Sequence, residues 1–392
     1  MTRKRILFYL EPVTYVDSPL RLGGWWSFCS AFAAHSAAAM ESAIAASPSI
    51  CALGSSYFAG IYSIAQVGLL QGCAFDRAAY SRDLCFGTGY RNTALLDELN
   101  RLKAAFCPDI VMAVTDNRYL KKVFGSGNVF FMELGPLPRT GLHTAIYFDP
   151  YGHQVGSALD WFARNRWAYP KLDDFTQIWR RKWVDPIYEA AQAKGITSWF
   201  DDMSAKRGPA SLLVALQPRD WITYEGIGPL VDPISLLRSL ACDVGNGWTI
   251  LPQWHGSDST PSETLAAELE ADQSNIAMPP EHLRVAQSEM FLPLVRGVAT
   301  ISSNVAALGA IMGKELLSLG KSKFHQIALR AVPNEPRPDI LAFLSSRYCL
   351  RLDDVLNIEG HFADHVLRLH HSPTYLFDHT GSDASNLERF FL

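Results

Sequence analysis

The sequence predicts an α/β protein of two lobes joined by a helical hinge. Three observations carry that expectation. Short apolar runs alternate with helical patterns from Arg5 to Glu133, a helical stretch rich in Trp, Arg and Lys fills residues 151 to 207, and the alternation restarts at Ala210. Strand–helix–strand alternation lets helices cover both faces of a sheet and implies mostly parallel strands. The 392 residues also exceed one ordinary small domain and fit two of roughly 150–200 residues each.

In order, Arg5 to Leu10 reads as a strand and Trp26 to Ala46 as an Ala-rich buried helix. Thr93 to Phe106 is an amphipathic helix with Leu95, Leu96, Leu99, Leu102 and Phe106 on one face. Pro108 stops it, Asp109 to Val114 is a buried strand, Arg118 to Phe124 a helix and Val129 to Glu133 a strand. In the second half, Ala210 to Leu216, Trp248 to Leu251, Val298 to Ser302 and Glu315 to Leu319 read as strands. Pro233 to Asp243 and Val305 to Met312 read as helices, and Gly256 to Asn275 as a loop with a short helix. Pro333, Pro336 and Pro338 mark a stiff linker to a helical tail. The expected divisions are a first lobe over 1–165, a hinge over 166–207, a nucleotide-binding lobe over 208–330 and the tail over 331–392.

Hydrophobic residues make up 48% and charged residues 19%, which supports a large core and excludes a disordered chain. The net charge of -4, without a basic stripe, argues against nucleic acid as a partner and against electrostatic capture by an anionic membrane. The seven cysteines are scattered, with no CxxC, and read as reduced core residues of a cytoplasmic protein without disulfides or zinc. The apolar run Ile6 to Leu10 is too short for a signal peptide, and polar residues interrupt Phe28 to Ala46 too often for a membrane span. Peripheral contact with the inner membrane would need Trp25, Trp26 or the Trp161 to Trp183 region at the surface. Core packing is the expectation for these rings.

Four segments could carry chemistry. The first is Ser302-Ser303-Asn304, where a strand passes directly into a small-residue helix that ends at Gly313-Lys314. Hydroxyls and free backbone N–H groups there suit a phosphate or carboxylate, although Ser303 or Asn304 acting as a plain helix cap explains them equally simply. In the second, a buried strand runs into Gln217 and then Asp220, and ligands of open α/β sheets gather at such carboxyl ends. A carboxylate there can serve as a base or as a nucleophile toward an anomeric carbon, or it can cap a turn. In the third, His255 follows a strand and would donate to a phosphate or pack on Trp254. In the fourth, Glu133 and Arg139 flank a Gly/Pro loop, where the arginine would clamp an anion or pair with Glu133. No P-loop, HExxH, complete GxGxxG, GxSxG or convincing DxD metal motif is present.

Taken together the four segments resemble the bacterial capsule and surface-polysaccharide β-Kdo transferases, which are retaining enzymes that use CMP-Kdo. Glu133-Leu-Gly-Pro-Leu-Pro-Arg139-Thr-Gly-Leu142 and Ile146-Tyr-Phe-Asp149-Pro-Tyr-Gly152 are similar to that family's E-D-G-φ-φ-R-S-x-G-L and φ-x-x-D-x-x-G elements. Gln217, Asp220, Tyr224 and Gly226 are similar to its strand ending in Q-x(2,3)-D with Y-x-G or a near variant following, and Ser302 through Gly320 to its strand–S-[ST]-x-V element. The sequence departs from the family at Leu134, at Arg139, which falls one place late, in the Gln217–Asp220 spacing, and at Pro252-Gln-Trp-His255-Gly256, which lacks the family's Lys and Pro.

The resemblance implies a GT-B-like architecture of two Rossmann-like lobes with the nucleotide held mainly by the second. It implies Asp220 as nucleophile, with His255 beside it, and Gln217, Ser302, Ser303, Asn304, Lys314, Arg139 and Glu133 toward the donor. It implies no cofactor and no metal, since a CMP donor has no diphosphate for a metal to carry. The partners are then a nucleotide sugar and a glycan or glycolipid acceptor. Two alternatives stand beside it. One is a transferase using a UDP- or GDP-sugar, with Lys314 or Arg296 at the diphosphate. The other is an inactive, transferase-like binding subunit of a polysaccharide assembly complex.

Overall fold

The structure is a computed structural model of the chain. It describes every residue except 1–2, 14–18, 72, 88–91, 166, 219–221, 229–231, 258 and 379–381, and only the backbone of 19–21 and 222–224.

The strands in chain order are β1 (Lys4–Tyr9), β2 (Met40–Ala46), β3 (Gly60–Ser63), β4 (Ile110–Ala113), β5 (Val129–Leu134), β6 (Ala145–Asp149), β7 (Ser211–Ala215), β8 (Thr249–Gln253), β9 (Gly297–Thr300), β10 (Glu315–Ser318) and β11 (Cys349–Arg351). One sheet runs β11-β6-β5-β4-β1-β2-β3 and the other β10-β9-β7-β8. The second is parallel throughout. The first is parallel from β5 to β3, and β6 and β11 extend it with antiparallel pairings. This is the two-lobed, GT-B-like α/β layout. Between β6 and β7 in sequence come the helices Leu172–Trp179, Asp185–Ala193 and Ile196–Arg207, the first two joined by a π-helical turn.

β1 shows why these residues make a central strand. Ile6 and Phe8 face one core with Phe32, Phe148 and Phe362, while Leu7 and Tyr9 face the other with Leu95, Leu99 and Tyr119. Successive side chains alternate between faces, so a strand covered on both sides must be apolar at every position. Phe362, from the helix His361–His371, stacks on Phe32 with ring centroids 4.7 Å apart. The C-terminal segment therefore returns to the first lobe.

Two sequence readings need correction. Trp26 to Ala46 is not one helix. The helix Pro19–Ser36 stops, and Met40–Ala46 is β2, paired to β1 on one side and β3 on the other. Alanine favours a helix, but two ladders of backbone hydrogen bonds in a slot that fits small side chains outweigh that preference. The cysteines are not all core residues either: Cys29, Cys73 and Cys349 are buried, whereas Cys107 and Cys242 are exposed. Trp26, Trp179 and Trp183 are buried, whereas Trp161 is 45% exposed and rests against Trp167 and Phe377. Among the described residues no helix is long and apolar enough to cross a membrane.

Candidate functional site

Parallel strands place all their carboxyl ends at one edge of a sheet. In the first sheet that edge carries Glu11, Asp116 and Glu133. In the second it carries Gln217, His255, Ser302, Ser303, Asn304 and Lys323. The two edges meet. Asn304 Nδ2 donates to the Gly135 carbonyl at 3.1 Å, and Lys323 Nζ reaches Glu133 Oε2 at 2.9 Å. On another flank Glu225 receives Arg77 at 2.9 Å and the Ser81 hydroxyl at 3.2 Å.

On the second lobe the structure brings Gln217, Ser302 and Ser303 together. Ser302 Oγ donates to Gln217 Oε1 at 3.2 Å, linking the ends of β7 and β9. Thr300 Oγ1 donates to Ala215 O and receives the Ser303 N–H, both at 3.1 Å, which fixes the turn. Among the described residues nothing engages the half-buried Ser303 hydroxyl. Asn304 does not cap the helix, because its side chain crosses to the first lobe instead. That helix, Val305–Ile311, is only seven residues long, so little dipole assistance is available to an anion.

Other expected site residues fall elsewhere. Asp220 lies outside the described residues. His255 follows edge strand β8 by two residues, and that strand is two strand spacings or roughly 10 Å from β9; its Nδ1 engages Ser257 through that residue's N–H (3.1 Å) and hydroxyl (2.8 Å). Arg139 is exposed and does not pair with Glu133. Its backbone N–H and that of Thr140 donate to the Glu289 carboxylate at 2.9 and 3.1 Å.

Lys314 is a correction. It stands at the amino end of β10, roughly 15 Å along the strands from Ser302, and donates to the carbonyls of Pro293 (3.1 Å) and Val295 (2.7 Å). Burial lowers its pKa to about 8. A half-buried ammonium that fastens two carbonyls there ties down the opposite edge of the sheet, away from Ser302. Arg296 is at that same edge, paired with Glu315 at 3.2 Å and lying over the Trp248 ring.

Sequence reasoning missed the surroundings of Glu133. His153 Nε2 lies 2.7 Å from Glu133 Oε2, Lys323 Nζ 2.9 Å, and Tyr147 Oη and Gln154 Nε2 both 3.4 Å. Lys323 is 1% exposed and also donates to Tyr147 Oη at 2.9 Å. Burial alone would raise the Glu133 pKa, but the charges of Lys323 and His153 outweigh it and hold the carboxyl well below the usual range. Glu133 is therefore an ionised hydrogen-bond acceptor rather than a proton donor at neutral pH.

The loop that delivers His153 and Gln154 is built by two buried aspartates. Asp116 accepts the N–H groups of His153 (2.8 Å), Gln154 (2.7 Å) and Val155 (3.1 Å). Asp149 accepts those of Tyr151 (2.8 Å), Gly152 (3.2 Å) and Ala158 (2.7 Å), and the Tyr348 hydroxyl (3.0 Å). The loop folds back so tightly that a Cβ at residue 152 would lie 2.1 Å from the Val155 carbonyl oxygen, and only glycine fits. The Ile146 to Gly152 element thus organises a loop. A signal was present: His153-Gln154 directly follow that element, and Lys323 follows the last strand of the second lobe at its carboxyl end. Among the described residues no group of three or more His, Cys, Asp or Glu side chains is placed to hold a metal ion.

No protein-family pattern matches the sequence, and no curated protein does. Among solved structures, the chain is similar to KpsC of Thermosulfurimonas dismutans, a beta-Kdo 2,7 transferase, at 12% identity over 93% of this chain and 100% of that one, with a TM-score of 0.39. It is similar to the UDP-GlcNAc 2-epimerase of Neisseria meningitidis at 12% identity over 93% and 99%, with a TM-score of 0.31. It is also similar to the glycotransferase of kitacinnamycin, at 12% identity over 99% of each chain and a TM-score of 0.32. These likenesses concern layout and carry no activity over to this chain.

Proposed function

We propose that the chain is a nucleotide-sugar-dependent glycosyltransferase of bacterial surface-polysaccharide assembly, with CMP-Kdo as donor. One observation carries the reading: two strand-end edges face each other, with a hydroxyl and amide group at Gln217, Ser302 and Ser303 on one side and the ionised Glu133 on the other. Neutral hydrogen-bond donors suit the single charge of a CMP phosphodiester. The two cations that a diphosphate donor was expected to use, Lys314 and Arg296, lie at the far edge of the sheet, which favours CMP over UDP or GDP.

In this reading the Asp220 carboxylate attacks the anomeric carbon of the sugar as the bond to the phosphate oxygen breaks and CMP leaves. An acceptor hydroxyl then attacks the same carbon, loses its proton and frees Asp220, so two inversions give retention. The test is release of CMP from CMP-Kdo. Wild type should turn the donor over, and Asp220→Ala should abolish turnover while CMP still binds. Turnover by Asp220→Ala at the wild-type rate would remove the nucleophile, and binding of UDP or GDP but not CMP would remove the donor.

A further inference from the structure

We propose that Glu133 and Gln154 form a subsite that reads uncharged hydroxyls of the acceptor glycan, with Lys323 and His153 as positioning residues that hold Glu133 in place. The inference rests on the glycosyltransferase reading above and adds the acceptor side of the cleft.

The argument starts from a lopsided carboxylate. Every contact to Glu133 converges on Oε2: His153 Nε2 at 2.7 Å, Lys323 Nζ at 2.9 Å, and Tyr147 Oη and Gln154 Nε2 at 3.4 Å. Each carboxylate oxygen accepts about two hydrogen bonds, so Oε2 is full. Among the described residues nothing donates to Oε1, and the side chain keeps 30% of its surface open. Beside it, Gln154 is 4% exposed, and its Oε1 is buried without a donor. The amide orientation is fixed, because flipping it would set that oxygen against Glu133 Oε2. A buried acceptor without a donor costs about 1–3 kcal/mol, so the bare Gln154 Oε1, on a side chain that touches the half-open Glu133 carboxylate, marks a place for a ligand's donors.

The chemistry of that ligand follows. It must bring O–H or N–H groups. It carries no negative charge, since the subsite offers acceptors only. A cation is not needed, since Lys323 and His153 already face the carboxylate. A neutral polyol meets all three conditions. Glu133 and Gln154 belong to the first lobe, across the cleft from the Gln217–Ser302 group, which assigns the polyol to the acceptor rather than the donor.

The full chain, loaded with CMP, is titrated with methyl glycosides of glucose, galactose, N-acetylglucosamine and rhamnose, and binding is followed by ligand-observed NMR. One or more glycosides should bind wild type, Gln154→Leu should weaken that binding about tenfold or more without changing CMP affinity, and Glu133→Gln should weaken it by a similar factor. Lys323→Met should do the same and Lys323→Arg should recover part of the loss. That recovery separates positioning from simple structural support, and Gln154→Leu stands as the test if Lys323→Met does not fold. Unchanged glycoside affinity in both Gln154→Leu and Glu133→Gln, or no glycoside binding to wild type, overturns the inference. Wild type that binds a glycoside but no CMP overturns the donor reading and leaves the subsite standing.

Discussion

Gly226→Ala tests how tightly the lobes are joined. The helix Arg77–Phe86 of the first lobe packs on the helix Ile222–Ile227 of the second, and Gly226 lies in that seam. A Cβ there would stand 2.7 Å from Cys85 Sγ and 3.1 Å from the Ser81 carbonyl oxygen. Comfortable non-bonded contacts lie at about 3.5–4.0 Å, so the methyl group is roughly 1 Å too close to the sulfur. The first-lobe helix cannot withdraw freely. Asp83, between Ser81 and Cys85, is held by Arg118 at 2.7 Å and by the Tyr119 hydroxyl at 2.5 Å. Overpacking of this kind costs about 1–3 kcal/mol. Cys85→Ala removes the sulfur, so Gly226→Ala in that background should recover about 1 kcal/mol, and the Ser81 oxygen at 3.1 Å should retain the remainder. Scanning calorimetry of wild type, both single variants and the double variant measures the coupling. Wild-type stability in Gly226→Ala, or a double variant that merely adds the two losses, would refute the packing described here.

Four further outcomes follow from the same geometry. Glu133 is held below the ordinary carboxylate range, so its contribution is present at neutral pH and lost as pH falls below about 5 toward its lowered pKa. The thermal midpoint of wild type should therefore drop more steeply than that of Glu133→Gln over that acid range, and parallel curves would contradict the Lys323–Glu133 pair. Lys314, with its pKa lowered to about 8, binds its proton less tightly when folded than when unfolded. Stability relative to Lys314→Met should accordingly rise between about pH 8 and pH 10.5, while CMP affinity is the same in both proteins. Arg337 grips Asp339 through two bonds, Nε–Oδ1 at 2.8 Å and Nη2–Oδ2 at 2.7 Å, with both side chains buried. Asp339→Ala leaves that charge unpaired and should cost about 3–5 kcal/mol by calorimetry. Gly152→Ala, whose methyl would collide with the Val155 carbonyl, should unseat His153 and Gln154 and abolish glycoside binding while CMP still binds.

Most of the fold was legible because its signals are local. Thr93–Phe106 and Arg118–Phe124 match the predicted helices end to end, each with an asparagine cap that the sequence displays. β2 was hidden because nothing within Met40–Ala46 announces the two neighbouring strands, whose residues Leu7 and Gly60 pair with its central Ala43; pairing, not propensity, decides it. β11 was hidden for the same reason, as its partner β6 is some 200 residues upstream. The second-lobe group was legible wherever strand ends could be counted, which brought Gln217, Ser302 and Ser303 together. Counting also misled: Lys314 stands near a strand in sequence, but at its amino end, where a parallel sheet offers no cleft. The Glu133 cluster was out of reach because its partners lie 20 and 190 residues away, and only the meeting of the lobes makes them neighbours.

The central claim is that the cleft between the two strand-end edges holds a CMP-activated sugar. Calorimetric titration of the full chain with CMP, UDP and GDP tests it most directly, repeated on Ser302→Ala. The account predicts saturable CMP binding, stabilising the fold by about 2.7 kcal/mol at a hundredfold excess over Kd. It also predicts that the loss of Ser302 and its bond to Gln217 weakens that binding. Binding of UDP or GDP in place of CMP, or CMP binding untouched by Ser302→Ala, would contradict it.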